Sequence, residues 1–252
     1  MLKRIYLAAF LLTPLVPLRA NLVTNGNFES GPVTTGYSAL TGGDAGDTGS
    51  FTGWTAVAGN GNGPNVYYNT ATNGASWIPT PIAGTNDVQL DSTDDGNAYT
   101  QGSKIYTTNG ITLNPGGYYS LTFSIATEVG AGKGGTSYAD VTLFTTHNGT
   151  YNSTVRTSII DGTYSTVNGA EGSTSTTSWT TYTINFQYLP ANGSSNNVAF
   201  LQFQDDVNSG NSNISIDNVS LEVVPEYTHW AMFGLFGAAC VVVELRRRKI
   251  AA

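Results

Sequence analysis

Between residues 119 and 223 the chain alternates apolar and polar residues, with no 3.6-residue period anywhere in the body. Tyr119, Leu121, Phe123 and Ile125 alternate with Ser120, Thr122 and Ser124. Tyr182, Ile184, Phe186 and Tyr188 alternate with Thr183, Asn185 and Gln187, and Ala199, Leu201 and Phe203 with Gln202 and Gln204. Ala139, Val141 and Leu143 form a shorter set, and Val219, Leu221 and Val223 close the series. A period of two puts one side chain in the core and the next in water, so these segments predict antiparallel strands with one wet face. Asn114-Pro115-Gly116-Gly117, Gly130 to Gly135 and Asn192-Gly193-Ser194 supply the turns. Ile214 and Ile216 share a phase that Val219 breaks by one residue, which predicts a β-bulge at Asp217-Asn218. The strands sum to about eight or more, enough for a two-sheet jelly-roll sandwich. Residues 31–81, rich in Gly, Asn and Thr, are expected to be loops.

Charge narrows the setting. The net charge is -7, but seven of the ten Lys and Arg lie at the two ends. Residues 21–224 keep Lys104, Lys133 and Arg156 against fifteen of the seventeen acids, a body near -12. Such a surface repels nucleic acid and suits solubility or divalent cations. The single cysteine, Cys240, lies in the apolar tail, so the body forms no disulfide.

The ends read as processing segments. Lys3-Arg4, an apolar run from Ile5 and a small residue at Ala20 predict a signal peptide over residues 1–20, cut after Ala20. At the other end Trp230 to Val243 is an unbroken apolar run of fourteen residues. As a helix it spans about 21 Å, a short transmembrane segment once its flanks are added. Arg246, Arg247 and Arg248, with Lys249, stop transfer and stay cytoplasmic. Both basic clusters are thus inside and the acidic body outside.

Val224-Pro225-Glu226, the apolar helix and the Arg-rich end, in that order, resemble a PEP-CTERM sorting tail over residues 224–252. Tyr227 stands where that family carries a second proline. The resemblance implies recognition of the motif by an exosortase-type membrane protease. The body, residues 21–223, opens with Asn21-Leu22-Val23-Thr24-Asn25-Gly26-Asn27-Phe28-Glu29 and continues through Gly53-Trp54. Val88-Gln89-Leu90-Asp91 and Leu113-Asn114-Pro115-Gly116 follow, and Ile216-Asp217-Asn218-Val219-Ser220-Leu221 closes it. This order resembles the galactose-binding-like jelly rolls of carbohydrate-binding modules. The resemblance implies an all-β sandwich. It also implies a structural calcium where first and last strands meet, with Glu29 and Asp217 at the acidic positions. The alternative is that both carboxylates accept backbone hydrogen bonds.

Glycan binding needs aromatic faces flanked by amides and acids. Tyr67, Tyr68, Trp77 and Tyr99, in polar loop-like stretches, are the candidates. Trp54 and Trp179 flank strands and are expected in the core. Asp91, Asp94, Asp95 and Asn97 suggest a solvated turn, because Thr93 and the lack of a twelfth-position Glu break the calcium-loop pattern. For catalysis, His147 is the one histidine of the body, beside Asn148-Gly149, and no Gly-x-Ser-x-Gly, HExxH or cysteine nucleophile occurs there. The expected protein is therefore a non-enzymatic one. It is held at the inner membrane as a precursor, then passed to the cell surface or extracellular matrix, in contact with exopolysaccharide and not with nucleic acid. A carbohydrate-binding module with a defined ligand is the alternative. A secreted glycosidase, needing two carboxylates among fifteen acids, is the remaining one.

Overall fold

A computed structural model describes residues 20–31, 38–41, 44, 46–59, 66–70, 80–82, 84–91, 102–127, 136–152, 156–167, 179–190, 196–206 and 213–225. Residues 1–19 of the expected signal peptide, Glu226 of the expected sorting motif, the apolar tail, Trp77, Tyr99, Asp94, Asp95 and Asn97 lie outside these residues. Among the described residues no helix is long and apolar enough to cross a membrane.

The described chain forms thirteen strands. They are β1 Ser38–Ala39, β2 Thr48–Phe51, β3 Trp54–Val57, β4 Val66–Thr70, β5 Asn86–Leu90, β6 Lys104–Thr107 and β7 Ile111–Thr112. The longer ones follow: β8 Tyr118–Thr127, β9 Thr136–Thr146, β10 Arg156–Val167, β11 Thr180–Gln187, β12 Val198–Asp205 and β13 Ile214–Val224. One sheet has the order β1-β4-β5-β13-β8-β11 and the other β10-β9-β12-β6-β3-β2, with β7 also paired to β12. Every pairing is antiparallel. The two sheets make the jelly-roll sandwich that the alternation predicts.

The alternation places the side chains as expected in the long strands. Tyr119, Leu121, Phe123 and Ile125 of β8 and Ala199, Leu201 and Phe203 of β12 are all in the core. On β11 the same phase holds, but Tyr182, Ile184 and Phe186 are half-buried, because β11 is the last strand of its sheet. Val223 departs from its set and is 42 % exposed. The stretch 31–81 is not all loop: β1 to β4 fall within it, each only two to five residues long.

Aromatic rings form a continuous line across the interior. Phe28 meets Phe51 at 5.9 Å and Trp54 at 5.4 Å, and Trp54 meets Phe203 at 6.2 Å. Phe203 and Phe123 are 5.3 Å apart, and Phe123 contacts Tyr164 at 5.2 Å. Tilted and edge-on pairs of this kind add stability beyond the area they bury. Trp54 is wholly buried, as expected, with its Nε1 donating to the Asn25 carbonyl at 3.1 Å.

The opening and closing motifs meet without a strand between them. Leu22 N donates to Leu221 O at 2.8 Å and Val219 N to Gly26 O at 2.7 Å. The Asn21 side chain donates from Nδ2 to Val219 O at 3.1 Å and accepts from Leu221 N at 3.0 Å. The bulge falls where the phase break places it: the β13–β8 register shifts between Asp217 and Ser220, and Asn218 has φ 52. Asn tolerates that left-handed conformation better than most residues. The bulge takes Val219 off the β8 ladder and frees its amide for Gly26.

Candidate functional site

Sheet pairing aligns polar residues from five strands on the outer face of the six-stranded sheet. On β4, β5 and β13, Val66, Tyr68, Val88, Leu90, Ile214 and Ile216 point into the core. The alternate positions therefore point outward. One row runs Ala39, Tyr67, Gln89, Ser215, Ala126. In the next row Asn69 pairs with Asp87 across β4 and β5, and Asp217, Ser124 and Thr181 follow across β13, β8 and β11.

This outer face is polar yet shielded. Asn69, Asp87, Gln89, Ser124, Ser215 and Asp217 are all 0 % exposed. Asn69 Nδ2 donates to Asp87 Oδ1 at 2.7 Å, and the Ser124 and Thr181 hydroxyls are 2.9 Å apart. Among the described residues, Asn69 Oδ1, Asp87 Oδ2, both amide atoms of Gln89 and Ser215 Oγ have no hydrogen-bond partner. Each buried polar atom left in this state costs about 1–3 kcal/mol. Natural folds seldom keep several side by side unless something else satisfies them.

The Asp87 carboxyl is electrostatically strained. Burial pushes its carboxyl well above the ordinary 3.8, the Asn69 hydrogen bond opposes that, and the nearby Asp217 carboxylate adds to it. A proton retained on Asp87 makes Oδ2 a donor instead of a second negative charge beside Asp217. The face then offers amide donors and acceptors, hydroxyls and a carboxylic acid.

The aromatic candidates separate. Tyr68 is not a surface ring: it is 1 % exposed, packs on Phe51 at 5.9 Å, and its hydroxyl donates to the Phe28 carbonyl. Tyr67, its neighbour, faces the other way and is half-buried in the Gln89 row. Trp179 corrects the opposite expectation. It is half-buried, outside the core, with Nε1 donating to Thr80 O at 2.7 Å. Strand alternation puts it on the same side as Thr181, at the rim of the polar face. Trp77 follows β4 and Tyr99 follows β5, both outside the described residues.

Glu29 and Asp217 both hold the segment that leads into β5. Glu29 Oε1 accepts from Thr85 N at 2.7 Å and Asn86 N at 2.9 Å. Glu29 Oε2 accepts from Thr85 Oγ1 at 2.9 Å and Asn86 Nδ2 at 3.1 Å. Asp217 Oδ2 accepts from Ile82 N at 2.9 Å, and Oδ1 from Asn218 N at 2.6 Å. Among the described residues no group of three or more His, Cys, Asp or Glu is placed to hold a metal ion. His147 is exposed on the turn after β9.

Loop aromatics were the sequence signal for a site, and the polar rows lie instead on strands. The usable clue was Asp87-Val88-Gln89-Leu90-Asp91, where the outward positions of a strand are acid and amide instead of Ser or Thr.

No family model matches the chain, and no curated protein does. Among solved structures, a Stig cyclase from Fischerella sp. TAU, bound to (3Z)-3-(1-methyl-2-pyrrolidinylidene)-3H-indole, is similar. Its TM-score is 0.56 at 16% identity, over 80% of this chain and 95% of that one. A cyclase of the same organism with 4-(1H-indol-3-yl)butan-2-one gives a TM-score of 0.54 at 16% identity over the same shares of the two chains, 80% and 95%. A CBM4 structure overlaps with a TM-score of 0.41 at 15% identity, over 80% of this chain and 99% of that one. At 16% identity the cyclases share one thing with this chain, the two-sheet jelly-roll β-sandwich fold.

Proposed function

We propose that the body is a non-catalytic glycan-binding sandwich and that its ligand lies at the rim of the outer face of the six-stranded sheet, against Trp179. The observation that supports this reading is the Trp179 side chain, half-buried and outside the core, next to the exposed Thr181 of the edge strand β11. The Trp179 indole supplies a flat apolar face for a pyranose ring, and the exposed Thr181 hydroxyl lies beside it.

The test uses stability and binding against each other. Gln89→Met removes two unsatisfied buried atoms. It is expected to leave the urea midpoint unchanged or higher and glycan-array affinity unchanged, because Gln89 is wholly buried. Trp179→Ala is expected to weaken glycan-array affinity about tenfold, roughly 1.4 kcal/mol. An array that stays blank for the unaltered protein, with and without calcium, would overturn the glycan reading.

The destination of the protein rests on the tail. We propose that Val224-Pro225-Glu226 is read by an exosortase-type membrane protease and that the body is released to the cell surface or exopolysaccharide matrix. Val224 is the last residue of β13, paired with Tyr118, so the motif begins where the sandwich ends. Removing residues 226–252 keeps that strand whole. The truncated protein is expected to lose its membrane-bound precursor and change compartment on fractionation. Identical fractionation of the two forms would contradict the sorting role.

A further inference from the structure

Both ends of the body leave the sandwich at one place. Asn21 bridges to Glu222, and Leu22 N donates to Leu221 O at 2.8 Å, so Ala20 lies beside the end of β13. There Val224 pairs with Tyr118, and Tyr118 pairs with Gln187 of β11. Neighbouring strands lie about 4.8 Å apart, so Val224 and Gln187 are about 10 Å from each other. The pairing continues past β11: Gly116 N donates to Tyr188 O at 2.8 Å, and Tyr188 N to Gly117 O at 2.9 Å. Leu189 follows, on the rim. The exposed large hydrophobic residues among the described ones are Ile82, Tyr118, Leu189 and Val223, and the last three share this end. Leu189 is 70 % exposed and Tyr118 42 %. A single exposed hydrophobe is ordinary, but three on one rim mark a contact surface.

The covalent chain fixes what this end faces. Five residues, 225–229, separate Val224 from Trp230, where the apolar run of fourteen begins. Fully extended, that link reaches about 20 Å. The apolar run from Ile5 leads to Ala20, so it joins the body at the same end. Charge does not forbid the contact. Ser103 N donates to Asp91 O and Asp205 N to Ser103 O, which gathers Asp91, Asp205 and Asp206 at the opposite end, beyond the Leu90–Ile214 pair. Ile214 opens β13 and Val224 closes it, eleven residues spanning roughly 33 Å. Charges that far away are screened at physiological salt. Nearer the rim, Glu222 is half-buried and Asp161 accepts from Ser158 Oγ at 3.3 Å. Ser158 and Thr157 line a cleft with Gln187 and Leu189, and Arg156 directly precedes them, so a cation accompanies these two acids.

We infer that in the membrane-held precursor this rim rests on the lipid surface, with Leu189, Val223 and the Tyr118 ring in the headgroup layer. The inference rests on the sorting-tail reading above. Tyrosine suits such a boundary, because its ring is apolar and its hydroxyl stays wet. Burial of the exposed parts of three apolar side chains favours the contact, and the short link makes it intramolecular, at a high effective concentration of lipid. Docking keeps the residues after Val224 at the membrane surface, where a membrane protease works. It also turns Trp179 outward, because Trp179 precedes the other end of β11, where Thr180 pairs with Ile125.

The test places one nitroxide at a time on the full chain in phosphatidylcholine vesicles and compares its access to oxygen, which enters lipid, with its access to an aqueous nickel complex. Cys240, the single cysteine, lies in the apolar run and reports on the tail. Leu189→Cys and Thr48→Cys, each with Cys240→Ser, report on the two ends of the sandwich. Thr48 is exposed, and its partner Val57 pairs with Lys104 beside the far end. The oxygen-to-nickel ratio is expected to be about threefold higher at position 189 than at 48. Tyr118→Ser with Val223→Ser is expected to bring the ratio at 189 down to that at 48. Tyr118→Ser alone, at a half-exposed site, serves if the pair does not fold, and is expected to lower the ratio in part. Equal ratios at 189 and 48 while the Cys240 label reads as lipid-buried overturn the docking and leave the tail reading standing. A Cys240 label that reads as aqueous overturns both. A ratio at 189 that the serine variants leave unchanged also overturns the docking, since the link alone would then hold that residue near lipid.

Discussion

Gly26→Ala is expected to destabilise the sandwich by about 3–5 kcal/mol, the scale of deleting a large core side chain. A Cβ at Gly26 would lie 1.8 Å from the Val219 carbonyl oxygen and 2.9 Å from its carbon. Both obstacles are backbone, held on the β13 side by the bulge, so no side-chain rotation relieves the clash. The opening segment must lift away, breaking the 2.7 Å bond from Val219 N to Gly26 O. It would carry Phe28 out of the aromatic line, and Phe28 is 0 % exposed in the folded protein. Gly116→Ala is the control. Gly116 has φ 78 but nothing within 4 Å of a Cβ, so only backbone strain of about 1 kcal/mol is expected there. Urea denaturation of both variants reads the difference. A Gly26→Ala protein within about 0.5 kcal/mol of the unaltered one would show that the opening motif does not clasp the last strand.

Asp87 is expected to make the protein more stable in mild acid than at neutral pH. Its folded carboxyl holds a proton well above 3.8, the value of a free aspartate, mainly because it is buried. Above 3.8 the unfolded chain has released that proton while the folded chain still binds it. The folded state then carries the extra proton, and stability falls as pH rises. The slope is about 1.4 kcal/mol per pH unit. It ends once pH passes the raised folded value, and the contribution is complete below 3.8. Asp87→Asn keeps an acceptor for Asn69 Nδ2 and removes the titration. Urea midpoints measured from pH 4 to pH 8 on both proteins isolate this group, because every other titration is common to the two. The variant is expected to gain on the unaltered protein steadily as pH rises. Parallel pH profiles would mean that Asp87 is ionised in the folded state.

The long strands were legible because period two is imposed by the backbone and survives any neighbour. The same logic located the bulge, since Ile216 and Val219 cannot share a face without an extra residue between them. The short strands β1 to β4 were not legible. Two to five residues give too few alternations to count, and their Gly, Thr and Asn content matches loop composition. Tyr67-Tyr68 shows the limit in one dipeptide. Two identical side chains stand next to each other, so one faces the core and one faces out, and the single alternation from Val66 to Asn69 is too short to fix which. Contact with Phe51 and Phe28 chose Tyr68 for the interior.

What the amino-acid order determined alone is the all-β class, the phase of the long strands, the break at Asp217-Asn218 and the charge pattern that sets the body apart from its ends. All are local properties, fixed by residues a few positions apart. What tertiary structure decided is adjacency. Asn69, Asp87 and Ser215 come from three strands far apart in the chain, and only the order β4-β5-β13 makes them neighbours. Burial is likewise non-local: Gln89 and Ser215 occupy positions that alternation assigns to water, yet both are 0 % exposed. A polar residue on the outward face of a strand carries no mark of what will cover it, because that depends on the packing of the whole chain.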